Sequence, residues 1–162
     1  MNVTLCKMCM IEDVTTGCDL VQHRLPKATN PWCGLTFPGG HVEAGESITT
    51  STVLEIREET GLTVSNLRMC GAVEWEVPEK PKNTVWKDNI PNSKYIVFMF
   101  RTSTFTGELR SSAEGRMEWM TLDEMRNGGL APHMEEYIKV LTEDDVPQAY
   151  GISGKDLLII IQ

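Results

Sequence analysis

The chain has 162 residues, 41% of them hydrophobic and 23% charged, the ordinary balance of a globular protein able to bury one sizeable core. Its formal net charge of −8 opposes broad electrostatic attachment to a nucleic-acid polymer, but not the binding of a small anion through cations. No apolar run reaches the roughly 18 residues of a membrane helix, and MNVTLCKMCMIED at the start lacks a basic segment leading into an apolar one. A cytoplasmic, single-domain protein spanning residues 1–162, without membrane or nucleic-acid partners, is expected.

Along the chain the pattern predicts a mixed α/β domain. Residues 3–12 and 18–24 read as strands joined by a turn at Asp13–Gly17. Residues 25–36, with Pro26, Asn30, Pro31 and Gly34, read as a loop, and a helix is expected over about 47–60. From Leu67 to Val77 alternation puts Leu67, Met69, Val73, Trp75 and Val77 on one face. Residues 78–93 form a polar loop with three prolines, and Tyr95 to Arg101 reads as a central strand buried on both faces. A further strand covers about 115–120, Thr121 to Glu124 is a capping box opening a short helix, and Pro132–Leu141 is a second helix. The apolar Leu157–Ile161 closes the chain as a strand or packed tail.

Five cysteines without a secretion signal fit reduced thiols. Cys6 and Cys9 form a CxxC, but Cys18, His23, Cys33 and Cys70 supply no second pair at zinc spacing. Structural cysteines are expected. His41 and His133 have no companion nucleophile, which leaves a histidine-based triad without support.

The chemistry concentrates in GHVEAGESITTSTVLEIREETGL, residues 40–62. Glu55, Glu58 and Glu59 stand at i, i+3 and i+4, so a helix places them on one face, where like charges repel. A divalent cation would neutralise them, and a hard ion such as Mg2+ commonly joins carboxylates to substrate phosphates. Ser47 suits an N-cap and Gly61 a left-handed helix end. Val53 and Ile56, with Thr49 and Thr60 beside them, are expected to face a sheet while the glutamates face a cleft. Gly39 and Gly40 allow a tight turn and close approach to a ligand.

This stretch resembles the Nudix box, G-x5-E-x7-R-E-U-x-E-E-x-G-U, where U is aliphatic. The fixed positions fall on Gly40, Glu46, Leu54, Glu55, Ile56, Glu58, Glu59, Gly61 and Leu62, and eight of the nine agree. The exception is Leu54, where the pattern has an arginine that supports the glutamates by ion pairing. Phe37-Pro38-Gly39 before the box and Glu43 within it are also similar to the family. The resemblance covers roughly residues 3–141 and implies an α/β/α sandwich around a mixed sheet.

The resemblance further implies a metal site of Glu55, Glu58 and Glu59, with the Gly39 carbonyl and Glu114 as additional ligands and Mg2+ as cofactor, Mn2+ being a substitute. Glu114, in the SSAEGRMEW segment, reaches the metal cluster or acts as a base in similar proteins. Glu55, Glu58 and Glu114 are thus the catalytic candidates, the proton acceptor being Glu58 or Glu114. Arg24 is a candidate for phosphate or sugar, Gly40 for close substrate approach, and Phe37 for the base. Trp32, Trp75 and Trp86 are stacking candidates, although packing or anchoring is the simpler account of each. The chain looks most like the MutT-type subgroup. That implies hydrolysis of a nucleoside triphosphate, with 8-oxo-dGTP as an example, to monophosphate and pyrophosphate by a monomer or homodimer. The alternatives are an ADP-ribose or nucleotide-sugar pyrophosphatase, and a nucleotide-binding regulator whose box has decayed at Leu54.

Overall fold

A computed structural model describes residues 1–28, 30, 32–79, 90–155 and 158–162. The long polar loop and Trp86 expected within 78–93 lie largely outside the described residues, as does Leu157. The chain opens with a hairpin of β1 (Asn2–Asp13) and β2 (Cys18–Arg24), closed by Gly17 at φ 71°, a left-handed position suited to glycine. Within the segment expected to be loop lies a short strand β3 (Gly34–Thr36), followed by β4 (Gly39–His41). Three-residue strands carry too little alternation to be read from sequence.

Helix α1 (Ile48–Thr60) begins where expected: the Ser47 side chain accepts from the Thr50 N–H, and Gly61 ends the helix at φ 77°. Val53 and Ile56 pack on the core and Thr60 is buried, as expected, but the stripe also takes in acidic residues. Thr52, Ile56, Glu59 and Thr60 are buried and Glu55 is half-buried, while Thr49 is exposed. Two glutamates therefore share the inward stripe with Ile56 at i, i+3, i+4 spacing, instead of opposing it. Glu58 lies off the stripe and is exposed.

A small sheet pairs β5 (Thr63–Ser65) with β8 (Thr104–Thr106). The main sheet is completed by β6 (Arg68–Val77), β7 (Ser93–Thr102), β9 (Gly115–Met120), β10 (Gln148–Ile152) and β11 (Leu158–Ile161). Its order is β11-β10-β6-β7-β1-β2-β3, with β4 added on β1 and β9 on β2. β7 is central, parallel to β1 and antiparallel to β6. A bulge between Met69 and Gly71 breaks the alternation expected for β6. Met69 is 50% exposed, whereas Cys70 packs on the core, the phase change an extra residue produces.

Helix α2 (Leu122–Asn127) is capped by Thr121, whose side chain accepts from the Glu124 N–H, and α3 (Met134–Thr142) follows. Cores lie on both faces of the sheet. Met8, Met10, Val73 and Met99 meet α3 through Tyr137, Ile138 and Leu141 on one face. Cys9, Ile11, Leu20 and Phe100 meet Ile56 of α1 on the other. The architecture is thus a mixed sheet between helical layers. All five cysteines are free, and burial pushes the Cys9 thiol up to about 12, which makes it inert packing. Among the described residues no helix is long and apolar enough to cross a membrane.

Candidate active site

β1 and β2 pair only at the hairpin end, Glu12 with Asp19 and Asp13 with Cys18. Beyond it they part. β4 docks on β1 with Lys7 opposite Gly40, while β2 takes up β3 and β9. A cavity of about 830 Å³ lies against both strands, within the size range of small-molecule sites. Its wall contains Gly39, Gly40, Glu43, Glu55 and Glu114 together with Arg24, Lys27, Trp32, Trp75 and Tyr137. Two groups of contacts make up this wall.

The acidic group centres on Glu59. Its side chain is 6% exposed, it interacts with both Glu55 and Glu114, and its Oε2 has no hydrogen-bond partner. Burial first, and the two neighbouring carboxylates second, push its pKa up to about 9, because a charged form would be both desolvated and repelled. Glu114 shifts in the opposite direction: Lys27 donates to its Oε1 at 2.7 Å and, as the largest cause, lowers its pKa. Glu55 approaches Lys7, with Nζ to Oε2 at 3.6 Å. Glycine is required at 39, where a Cβ would stand 2.2 Å from the Lys7 carbonyl oxygen.

The aromatic group is tied by directed contacts. Trp75 Nε1 donates to Tyr137 Oη at 2.8 Å, and Trp32 Nε1 donates to the Pro132 carbonyl at 3.1 Å. The Trp32 and Tyr137 rings are 6.4 Å apart, and Trp75 meets the His133 ring edge-on at 5.1 Å. The Arg24 guanidinium lies 5.7 Å from the Trp32 ring centroid, within cation–π range, and its Nε has no hydrogen-bond partner.

Of the residues singled out from sequence, Gly39, Gly40, Glu55, Glu114, Arg24 and Phe37 all line this cavity. Phe37 does so while only 1% exposed and packed in the core. Glu59 stands behind the wall, touching it through Glu55 and Glu114. The Glu58 side chain is exposed and outside the wall; its backbone carbonyl accepts from Arg110 Nη2 at 3.1 Å. Leu54 is 41% exposed. Glu118 pairs with His23 at 2.7 Å. Lys7 and Lys27 were missed from sequence. Lys7 had one signal, a charge in the inward phase of an otherwise apolar strand; Lys27, on a loop, had none.

Among the described residues no three His, Cys, Asp or Glu side chains are already arranged around a common point as a metal requires. The donor chemistry nevertheless fits a hard divalent cation. Three carboxylates meet with an orphaned buried oxygen among them, a cluster that positive charge would relieve.

The NUDIX domain family model matches residues 8–141. An uncharacterized Nudix hydrolase, YvcI of Bacillus subtilis, is 31% identical over 59% of this chain and 56% of its own length. The oxidized purine nucleoside triphosphate hydrolase of Danio rerio is 31% identical over 54% and 49%. NAD-capped RNA hydrolase NudC of Pseudomonas aeruginosa is 41% identical over 43% and 24%. The chain thus spans between a quarter and about half the length of these curated relatives. Among solved structures, the MutT protein of Bacillus halodurans superposes with a TM-score of 0.69 at 24% identity, covering 98% of this chain and 95% of its own. The MutT Nudix hydrolase of Burkholderia pseudomallei gives 0.66 at 17% identity, covering 88% of this chain and 100% of its own. With a family model matching most of the chain, a box in register and the fold shared, the protein belongs to the Nudix hydrolase family.

Proposed function

We propose that the protein is a metal-dependent pyrophosphohydrolase that cleaves a nucleoside triphosphate to nucleoside monophosphate and pyrophosphate. The observation that supports this reading best is Glu59, buried between Glu55 and Glu114 with its Oε2 unpartnered, beside a cavity lined with aromatic rings. Glu55, Glu59 and Glu114, with the Gly39 carbonyl and Glu58 from the adjoining turn of α1, would hold Mg2+, or Mn2+ in its place. When bound, the ion supplies charge neutralisation for the polyphosphate and activation of water.

The chain's own residues do the rest. Trp32 and Trp75 provide faces on which a base stacks, and Arg24, already seated over Trp32, turns its fork toward phosphate or sugar. Gly40 admits the phosphates close to backbone, and Phe37 closes the wall behind the base. Glu114 receives the proton of the attacking water or, if the helix flank turns inward on binding, Glu58 does. Lys27 holds Glu114 ionised for that task and at the same time weakens it as a base, since its pairing lowers the carboxyl pKa. The similarity to an oxidized purine nucleoside triphosphate hydrolase supports an oxidised purine nucleotide such as 8-oxo-dGTP as substrate.

Incubation of the purified protein with Mg2+ and a panel of 8-oxo-dGTP, ordinary dNTPs and ADP-ribose tests this, with Glu59→Gln and Glu58→Gln as controls. Monophosphate plus pyrophosphate, lost in Glu59→Gln, is the expected result. AMP plus ribose phosphate moves the assignment to nucleotide sugars. Nucleotide binding without turnover identifies a regulator.

A further inference from the structure

Lys7 has no exposed side-chain surface. It stands in β1 on the face toward α1, in phase with Cys9 and Ile11 of that core. A buried ammonium requires partners, and two elements supply them. Nζ donates to the His41 carbonyl of β4 and lies 3.6 Å from Glu55 Oε2 of α1. The opposite side of that carboxylate is bounded by backbone: a Cβ at Gly40 would stand 2.9 Å from Glu55 Oε1. Helix α1 offers Glu55 no cation of its own, since Leu54 is apolar and Arg57 points to solvent.

We propose that Lys7 is the positioning residue of the acidic wall, its fixed ammonium holding Glu55 over Gly40 and aiming it into the cavity. Lys7 borders the cavity but exposes no side-chain surface to it, so it acts through Glu55. An exposed lysine would do this poorly, since a flexible pair in water contributes little. Burial and the His41 carbonyl reduce the ammonium to one place, so the carboxylate is attracted to a point. The effect on turnover rests on the hydrolase reading above; the contact and its energetic coupling do not.

Two measurements separate these. In metal-free buffer, thermal unfolding is compared for wild type, Lys7→Gln, Glu55→Gln and the double variant. Lys7→Gln keeps a donor for the His41 carbonyl and removes the charge. The second substitution is expected to lower Tm less in the background of the first than in wild type; additive shifts overturn the proposal. If Lys7→Gln does not fold, Glu55→Gln is compared with Glu58→Gln. Stranding the buried ammonium must lower Tm more than removing the exposed Glu58 charge, and equal shifts overturn the proposal.

Steady-state kinetics with Mg2+ and a nucleoside triphosphate give the second readout. Lys7→Gln is expected to lower kcat by about 10- to 100-fold, the usual effect of losing a residue that orients a metal ligand, while KM stays within about 3-fold. A wild-type kcat in folded Lys7→Gln, or a loss confined to KM, overturns the positioning role. If wild type turns over no nucleotide, the hydrolase reading fails and the unfolding comparison alone decides the role of Lys7.

Discussion

The acidic wall takes Glu55 and Glu59 from successive turns of one helix, whereas the aromatic wall gathers Trp32 from a loop, Trp75 from β6 and Tyr137 from α3. Their energetics differ as much as their origins. The aromatic wall is complete as it stands: both indole N–H groups have acceptors and the rings are in contact. The acidic wall is not, because Glu59 is surrounded by carboxylates and one of its oxygens lacks a donor. On the proposed function, positive charge is taken up on the unfinished side and a flat apolar group on the other. That is the division a metal–nucleotide complex presents.

The sharpest way to break this comparison is to neutralise the acidic wall. Glu55→Gln and Glu59→Gln are each expected to lower kcat about 1,000-fold, the several kcal/mol that metal-assisted chemistry supplies, in a steady-state assay with Mg2+. Survival of turnover in either variant would leave the carboxylates without a catalytic part. In metal-free buffer Glu59→Gln should instead raise Tm at pH 8. The Glu59 pKa is raised on folding, so its contribution to stability is greatest below the unfolded value near 4.5 and declines as pH rises toward about 9. Added Mg2+ should raise the wild-type Tm at pH 8 and leave that of Glu59→Gln nearly unchanged.

The aromatic wall should respond in a different kinetic constant. Trp75→Leu keeps apolar bulk against Gly151, where a Cβ would stand 2.5 Å from the Trp75 ring, but removes the stacking face and the bond to Tyr137. A KM increase of about 10-fold is expected, from roughly 1–3 kcal/mol per stacked base, with kcat within about 3-fold. A fall in kcat with constant KM would place Trp75 with the chemistry and end the division between walls.

These walls were not equally legible in the sequence. Most of the acidic one is local. Helix periodicity put Glu55, Glu58 and Glu59 on a common face, of which Glu55 and Glu59 turn inward and Glu58 stays exposed. Ser47 and Gly61 bounded the helix correctly, whereas Glu114 comes from a loop and was marked by family resemblance alone. What periodicity could not show is that this face is the buried one. Thr52, Ile56 and Thr60 flank the glutamates, and burial, rather than charge spacing alone, is what perturbs Glu59. The aromatic wall depends on pairings between residues 32, 75 and 137, distant in sequence and brought together by sheet order, so each tryptophan alone read as packing. The β6 face was misread only at its start, at Leu67 and Met69, because a bulge leaves no mark in an alternating pattern; beyond it Val73 and Trp75 share the expected face.

A buried carboxylate away from the cavity provides a control. Asp19 is 2% exposed with Oδ1 unpartnered, and burial, then Glu12, raises its pKa to about 7 against the opposing effect of Arg101. Its contribution to stability declines as pH rises from about 3.8 to about 7. Asp19→Asn should therefore raise Tm by about 3 °C at pH 8, with little change at pH 4, and leave kcat unaltered. An activity loss would show that burial of acids in this fold serves the site as a whole and not the acidic wall alone.

The smallest effect is expected where the box departs from its pattern. Leu54 is 41% exposed and precedes Glu55 on a side of α1 turned away from the cavity, while Glu55 already has the buried Lys7 as its cation. Leu54→Arg adds a charge on a solvated surface, where substitutions usually change stability by less than about 0.5 kcal/mol. Turnover within about 2-fold of wild type follows if Glu55 is already held. A gain of 10-fold or more in kcat would mean that Glu55 lacks adequate support in the wild type. The departure at Leu54 would then be a defect of the acidic wall, left uncorrected by a lysine from the neighbouring strand.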